Sequence, residues 1–193
     1  MGCDYGRAGL GCDGGCGGAL SQRSKSCADM SVPPGRSVYY RRSRFTTHLP
    51  RDRRYSPAHY WLFEESPGVW RVGLTKFATR MLGDIVEFDF SVAPGTNVAL
   101  GDEIGSIEGL KAVTSVFSAG SGAFLGEGAS LRQDVTLAES DPYGKGWLYR
   151  LQGEPGPDAV DVHGYIAILD ATIDKMLASR HAGMEPEKGR DES

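Results

Sequence analysis

Between His59 and Leu151 the chain is cut at short intervals by glycine, proline and other turn-forming residues. Turns spaced roughly eight to twelve residues apart leave room for strands and little else, the pattern of a small sandwich or barrel. DIVEFDF (84–90) shows the period clearly. Val86, Phe88 and Phe90 fall on one side, Glu87 and Asp89 on the other, which predicts a half-buried strand. VWRVGL (69–74) and GWLYRL (146–151) read as further strands, and short ones are expected at 103–107, 112–117 and 122–126. Two stretches have helical spacing instead. After Thr75, a capping residue, Phe77, Ala78, Met81 and Leu82 share a face with Leu74, and Gly83 supplies a stop. In 164–180, Ile166, Leu169, Ile173, Met176 and Leu177 share a face, with Gly183 and Pro186 marking the end. The expected fold class is mainly β: a small sandwich or barrel with a short helix after the first strand and a C-terminal helix.

Charge divides the chain. Residues 1–54 hold ten Lys/Arg against four Asp/Glu, a net of +6, and residues 55–193 hold eleven against twenty-one, a net of −10. The reading gives four regions: a flexible Cys/Gly-rich extension (1–32), a basic extended segment (33–58), a globular domain (59–181) and a polar, disordered tail (182–193). The start MGCDYGRAGLGCDGGCGG is eight-eighteenths glycine and offers little apolar surface to offset its ordering entropy. No stretch approaches the ~18 apolar residues of a membrane span, and no secretory signal is legible. A cytoplasmic setting is expected, with no membrane partner.

Lys111 stands between Leu110 and Ala112, inside a run of small and β-branched residues. An unpaired ammonium is costly to bury. With strands on both sides, EGLK (108–111) becomes a hairpin connection, and Lys111 projects from its tip. Two roles fit such a lysine: simple solvation, or attachment of an acyl cofactor through an amide on its long stem. The flanking Leu110 and Ala112 are not the methionines a biotin carrier would show.

The stretch from His59 to about Leu177 resembles the H protein of the glycine cleavage system. HYWL (59–62), VGLTKFATRMLGDIVEFDF (72–90), EGLKA (108–112), SAGSGAF (118–124) and DPYGKGWLYRL (141–151) are similar to that family's blocks, in the same order. The resemblance implies a barrel-sandwich hybrid fold and a non-catalytic carrier with lipoate on Lys111. It also implies that Glu108, three residues before the lysine, and Gly122, eleven after it, are read by lipoate-attaching enzymes. The further partners it implies are glycine decarboxylase (a pyridoxal-phosphate enzyme), an aminomethyltransferase and dihydrolipoyl dehydrogenase. The function implied is transfer of an aminomethyl group between them. The chain departs from the family pattern at Gly109-Leu110, Ala119 and Phe90-Ser91, and in its N-terminal extension. Two alternatives stay open beside glycine cleavage: an H-like lipoate carrier of another dithiol pathway such as sulfur oxidation, and an unmodified H-like scaffold.

Other features point less far. Cys3, Cys12, Cys16 and Cys27 are candidate metal ligands by number, but no CxxC pair occurs among them. Residues 36–54 carry seven arginines with Tyr39, Tyr40 and Phe45, a composition that suits nucleic acid. The acidic remainder repels phosphate, so packing along the acidic domain or docking of an acidic partner is expected instead. His48, His59, His163 and His181 show no catalytic spacing, and no phosphate-cradling glycine motif is present. His59 and Trp61 are expected to pack and hydrogen-bond at the domain entrance.

Overall fold

The computed structural model describes residues 36–110 and 113–182. Its elements run in chain order: β1 (Ser37–Arg42), β2 (Phe45–Pro50), β3 (Arg54–Tyr55), β4 (Tyr60–Ser66), β5 (Val69–Leu74), α1 (Lys76–Leu82) and β6 (Ile85–Phe90). There follow β7 (Asn97–Val98), β8 (Glu103–Gly109), β9 (Val113–Phe117), β10 (Gly120–Glu127), α2 (Ala129–Gln133), α3 (Leu137–Ser140), β11 (Trp147–Pro155) and α4 (Val162–Ala182). Among the described residues the strands form a two-stranded sheet β1-β2, a six-stranded sheet β3-β4-β5-β11-β10-β7 and a three-stranded sheet β6-β8-β9. Every pairing is antiparallel.

The six-stranded sheet is covered on both faces, which explains why β4 begins as an unbroken apolar run. Tyr60 and Leu62 join Val72, Ile104, Ile107, Val116 and Phe124 in the core between this sheet and the three-stranded one. Trp61, between them, points the other way into a second core. That core contains Tyr55, Phe77, Tyr165, Leu169 and Ile173, together with Tyr40, Phe45 and Leu49 from the first hairpin. The C-terminal helix and the β1–β2 hairpin therefore close the outer face jointly.

The hairpin gives the basic segment a definite structure. Ser43 takes a left-handed φ of 53° in the two-residue β1–β2 connection, as tight hairpin turns demand. Phe45, Thr47 and Leu49 are buried while Thr46 and His48 are exposed. Arg42 reaches α4, where Nη1 lies 2.7 Å from Asp170 and Nη2 2.6 Å from Asp174. The Tyr40 hydroxyl donates to the same Asp170 at 2.8 Å. Arg53 goes further and is itself buried. Its guanidinium lies 4.1 Å from the centroid of the Trp61 ring, and Nη2 donates to the Tyr143 carbonyl at 2.5 Å.

The α1 boundaries follow the sequence signals. Thr75 Oγ1 accepts from the Ala78 N–H, and Gly83, with φ 77°, donates its N–H to Thr79 O. In β6 the alternation fails at one point. A bulge between Ile85 and Glu87 shifts the register, so Ile85 is buried and Val86 is turned out to 50% exposure.

Candidate functional site

The hairpin formed by β8 and β9 carries the motif EGLKA. Its first strand is held from both sides. Ile107 pairs with Phe88 of β6 and Thr114 of β9, and Glu108 with Glu87 and Val113. Gly109 pairs with Ile85, and Leu110 donates its N–H to the Asp84 carbonyl at 3.0 Å. Backbone pairing thus follows the chain to Leu110 and resumes at Val113. Lys111 and Ala112 lie outside the described residues. The residues that enter and leave them are exposed: Leu110 to 71% and Val113 to 68%.

Glu108 is exposed at the base of the tip, opposite the equally exposed Glu87. Gly122 is elsewhere. It lies on β10 in the six-stranded sheet, between Val98 and Gly153. Its φ is 150°, and a Cβ built there would sit 2.1 Å from Gln152 O. That close approach of two backbones requires glycine for the fold itself. The two residues expected to be read together therefore sit on different sheets.

A cleft of about 250 Å³ lies against the hairpin. Ile107, Thr114, Ser115 and Phe117 form its hairpin wall, and Ala78, Met81 and Leu82 of α1 face them. His59 and Tyr60 close one end. The Phe117 N–H donates to the Tyr60 hydroxyl at 3.2 Å, which ties β4 to β9. His59 adopts a left-handed φ of 64°. Its Nδ1 is 3.0 Å from the Tyr165 hydroxyl, which lies 2.8 Å from Thr75 Oγ1, the cap of α1. Burial lowers the His59 pKa and favours the neutral ring. Trp61 donates its ring N–H to the Pro142 carbonyl at 2.9 Å. A larger cleft, about 640 Å³, lies between β6, β10 and α2, and no residue of the β8–β9 hairpin lines it.

The family resemblance implies a cleft for the arm, but sequence reasoning did not reach the residues that line it. The cleft is assembled from separate stretches around residues 58–60, 74–82 and 107–117. The burial of Arg53 was also missed. Its only signal was an arginine set among aromatics. Among the described residues no group of three or more His, Cys, Asp or Glu side chains is placed to hold a metal. Cys3, Cys12, Cys16 and Cys27 lie outside those residues.

The six-stranded and three-stranded antiparallel sheets packed around their shared core, with the β8–β9 hairpin beside an open cleft, define a carrier domain of the barrel-sandwich class. Residues 53–162 match the family model described as glycine cleavage H-protein. The chain belongs to that family. It is 35% identical over 125 residues to the glycine cleavage system H protein of Pseudoalteromonas atlantica, covering 65% of this chain and 92% of that one. With the Aeromonas hydrophila protein of the same name the identity is 33% over 127 residues, covering 64% and 98%. The crystal structure of a glycine cleavage system H protein from Mycobacterium marinum matches with a TM-score of 0.56 at 29% identity, covering 62% of this chain and 97% of that one. These relatives favour glycine cleavage over the other dithiol pathway.

Proposed function

We propose that this chain is the carrier component of a glycine cleavage system, with lipoate joined as an amide to Lys111 Nζ. The observation that supports it most is the β8–β9 hairpin, backbone-paired up to Leu110, exposed at both ends of its tip, and bearing EGLKA in the family's position. Lipoate held there would supply a dithiolane able to accept an aminomethyl unit as its disulfide is reduced. The protein's own part is display, recognition and shelter.

Display comes from β6. Pairing to Ile85 and the Leu110–Asp84 hydrogen bond stop the hairpin from folding back on the sheet. A tethered group on a short arm meets each partner at an effective concentration on the order of mM. Recognition rests on the exposed Glu108 and on the apolar Leu110 and Val113. Gly122 contributes by keeping β10 and β11 in contact, so its part in recognition is indirect. Shelter is offered by the cleft lined by Ile107, Thr114, Ser115 and Phe117. Its walls offer apolar surface against which the arm could lie, and the neutral His59 ring and Tyr60 hydroxyl give it polar contacts.

The partners assigned on this reading are a glycine decarboxylase, an aminomethyltransferase, a dihydrolipoyl dehydrogenase and the lipoate-attaching enzymes, met in the cytoplasm. Among the described residues no helix is long and apolar enough to cross a membrane. The test is an intact mass of protein purified from its native host, followed by peptide mapping. One lipoyl amide on Lys111 is the expected result. An unmodified Lys111, in cells whose other carriers are lipoylated, refutes the assignment.

A further inference from the structure

A further groove borders α1 next to the cleft just described. Its volume is about 380 Å³. The floor is apolar, formed by Phe45, Phe77, Met81, Ile173, Met176 and Leu177. Arg42, Ser43, Arg44 and Arg80 stand around it. Arg42 is already engaged by Asp170 and Asp174. Arg44 and Arg80 are exposed and make no ion pair among the described residues, and Arg80 stacks over Phe45 at 5.8 Å. The groove's walls come largely from outside the family-matched residues 53–162: Arg42–Phe45 precede them, and Ile173, Met176 and Leu177 follow.

We propose that this groove docks an acidic, amphipathic helical segment of a partner protein. Three features select that occupant. The groove is an open trough rather than an enclosed tunnel, so it suits one face of a helix laid along it. Its apolar floor carries two uncompensated guanidinium groups, a pattern complementary to apolar anchors flanked by carboxylates. Nucleic acid, by contrast, needs a row of cations along its phosphates, which two guanidinium groups do not supply. The location supplies the use. Met81, 53% exposed, lines both the groove and the cleft beside the lysine hairpin. A partner seated in the groove would sit against the same short helix that walls the cleft, so docking would bring its active site to the tip.

The test is fluorescence anisotropy on the full chain with a designed probe: a labelled helical peptide with Leu at i, i+3 and i+7 and Glu on its flanks. A scrambled peptide of equal charge and a single-stranded oligonucleotide serve as comparisons. Saturable binding of the helical peptide is expected, at least tenfold tighter than the scrambled one. The double variant Arg44→Glu/Arg80→Glu should weaken it at least tenfold. Met176→Ser, which keeps the charges, should weaken it several-fold. Thermal melts of both variants establish that the fold is kept. The proposal is overturned if the scrambled peptide binds equally well, or if charge reversal leaves binding unchanged. It is also overturned if the oligonucleotide is the ligand lost on reversal, or if sedimentation shows that a second copy of the chain fills the groove. Peptide binding is read directly, so its failure is distinct from a failure to find lipoate on Lys111.

Discussion

Gly122 has a stereochemical reason to be glycine that is independent of any enzyme that reads it, and Gly122→Ala separates the two roles. The residue sits at φ 150°, where a side chain is strained. Such a conformation costs a non-glycine residue roughly 1–3 kcal/mol. The added methyl would also meet Gln152 O at 2.1 Å and Gly153 Cα at 2.8 Å, both backbone atoms of β11. An ordinary van der Waals contact is about 3.4 Å or longer, so β10 and β11 must separate by about 1 Å, at the cost of overpacking, roughly 1–3 kcal/mol more. The sum is roughly 2–6 kcal/mol. For a domain of this size 1 kcal/mol moves Tm by about 2–4 °C, so a fall of roughly 4–24 °C is expected. The assay pairs a calorimetric melt with in vitro lipoylation by a lipoate ligase, at a temperature where the variant is still folded. Lipoylation of the folded variant should stay within a few-fold of the parent. An unchanged Tm with lipoylation abolished would refute the reasoning and make Gly122 a directly read residue.

Arg53 and His59 yield two further tests. Arg53→Ala should cost about 2–4 kcal/mol in urea unfolding because it empties the space between Trp61 and Tyr143. Arg53→Met should cost much less, since burial already disfavours the charge and Nε has no hydrogen-bond acceptor, the Asp52 carboxylate lying 3.7 Å away; equal losses for the two would contradict this. His59 is held neutral by burial, below its ordinary value of 6.5, whereas the unfolded chain takes up that proton near 6.5. The unfolded state then binds more protons under mildly acidic conditions, so stability should fall as pH drops from 7 towards 5. His59→Gln should flatten that slope in urea titrations at several pH values, and an unaltered slope would count against the assignment.

Where sequence and structure agree, the signal was local. Thr75 and Gly83 bracket α1 because a capping oxygen and a left-handed glycine act within one turn. The β8–β9 hairpin was legible because both of its strands carry their own pattern. The misreading of Val86 has a local cause too: one extra residue at the bulge reverses which side the chain presents. The helices α2 and α3 escaped notice because each buries one residue, Leu131 or Ala138, too few to set a period. The hairpin at 37–50 was hidden by its arginines. Composition averages the two faces of a strand, whereas in β2 Phe45, Thr47 and Leu49 point inward and the polar residues between them point out. The lining of the cleft, and the groove altogether, were beyond sequence reasoning, because each joins stretches that only the tertiary fold brings together.

The second core has a consequence for how the protein is made. Its walls are the first and last elements of the described chain, and Tyr40 meets Asp170 across 130 residues. A ribosome adding roughly 5–20 residues per second needs on the order of ten seconds to cover that interval. The six-stranded sheet can pair during that time, but Tyr55, which stacks on Tyr165 of α4 with ring centroids 4.7 Å apart, stays uncovered on that side until α4 emerges. For that interval the nascent chain exposes an aromatic surface flanked by arginines, so a holding chaperone would have its natural point of contact there rather than at the lysine tip.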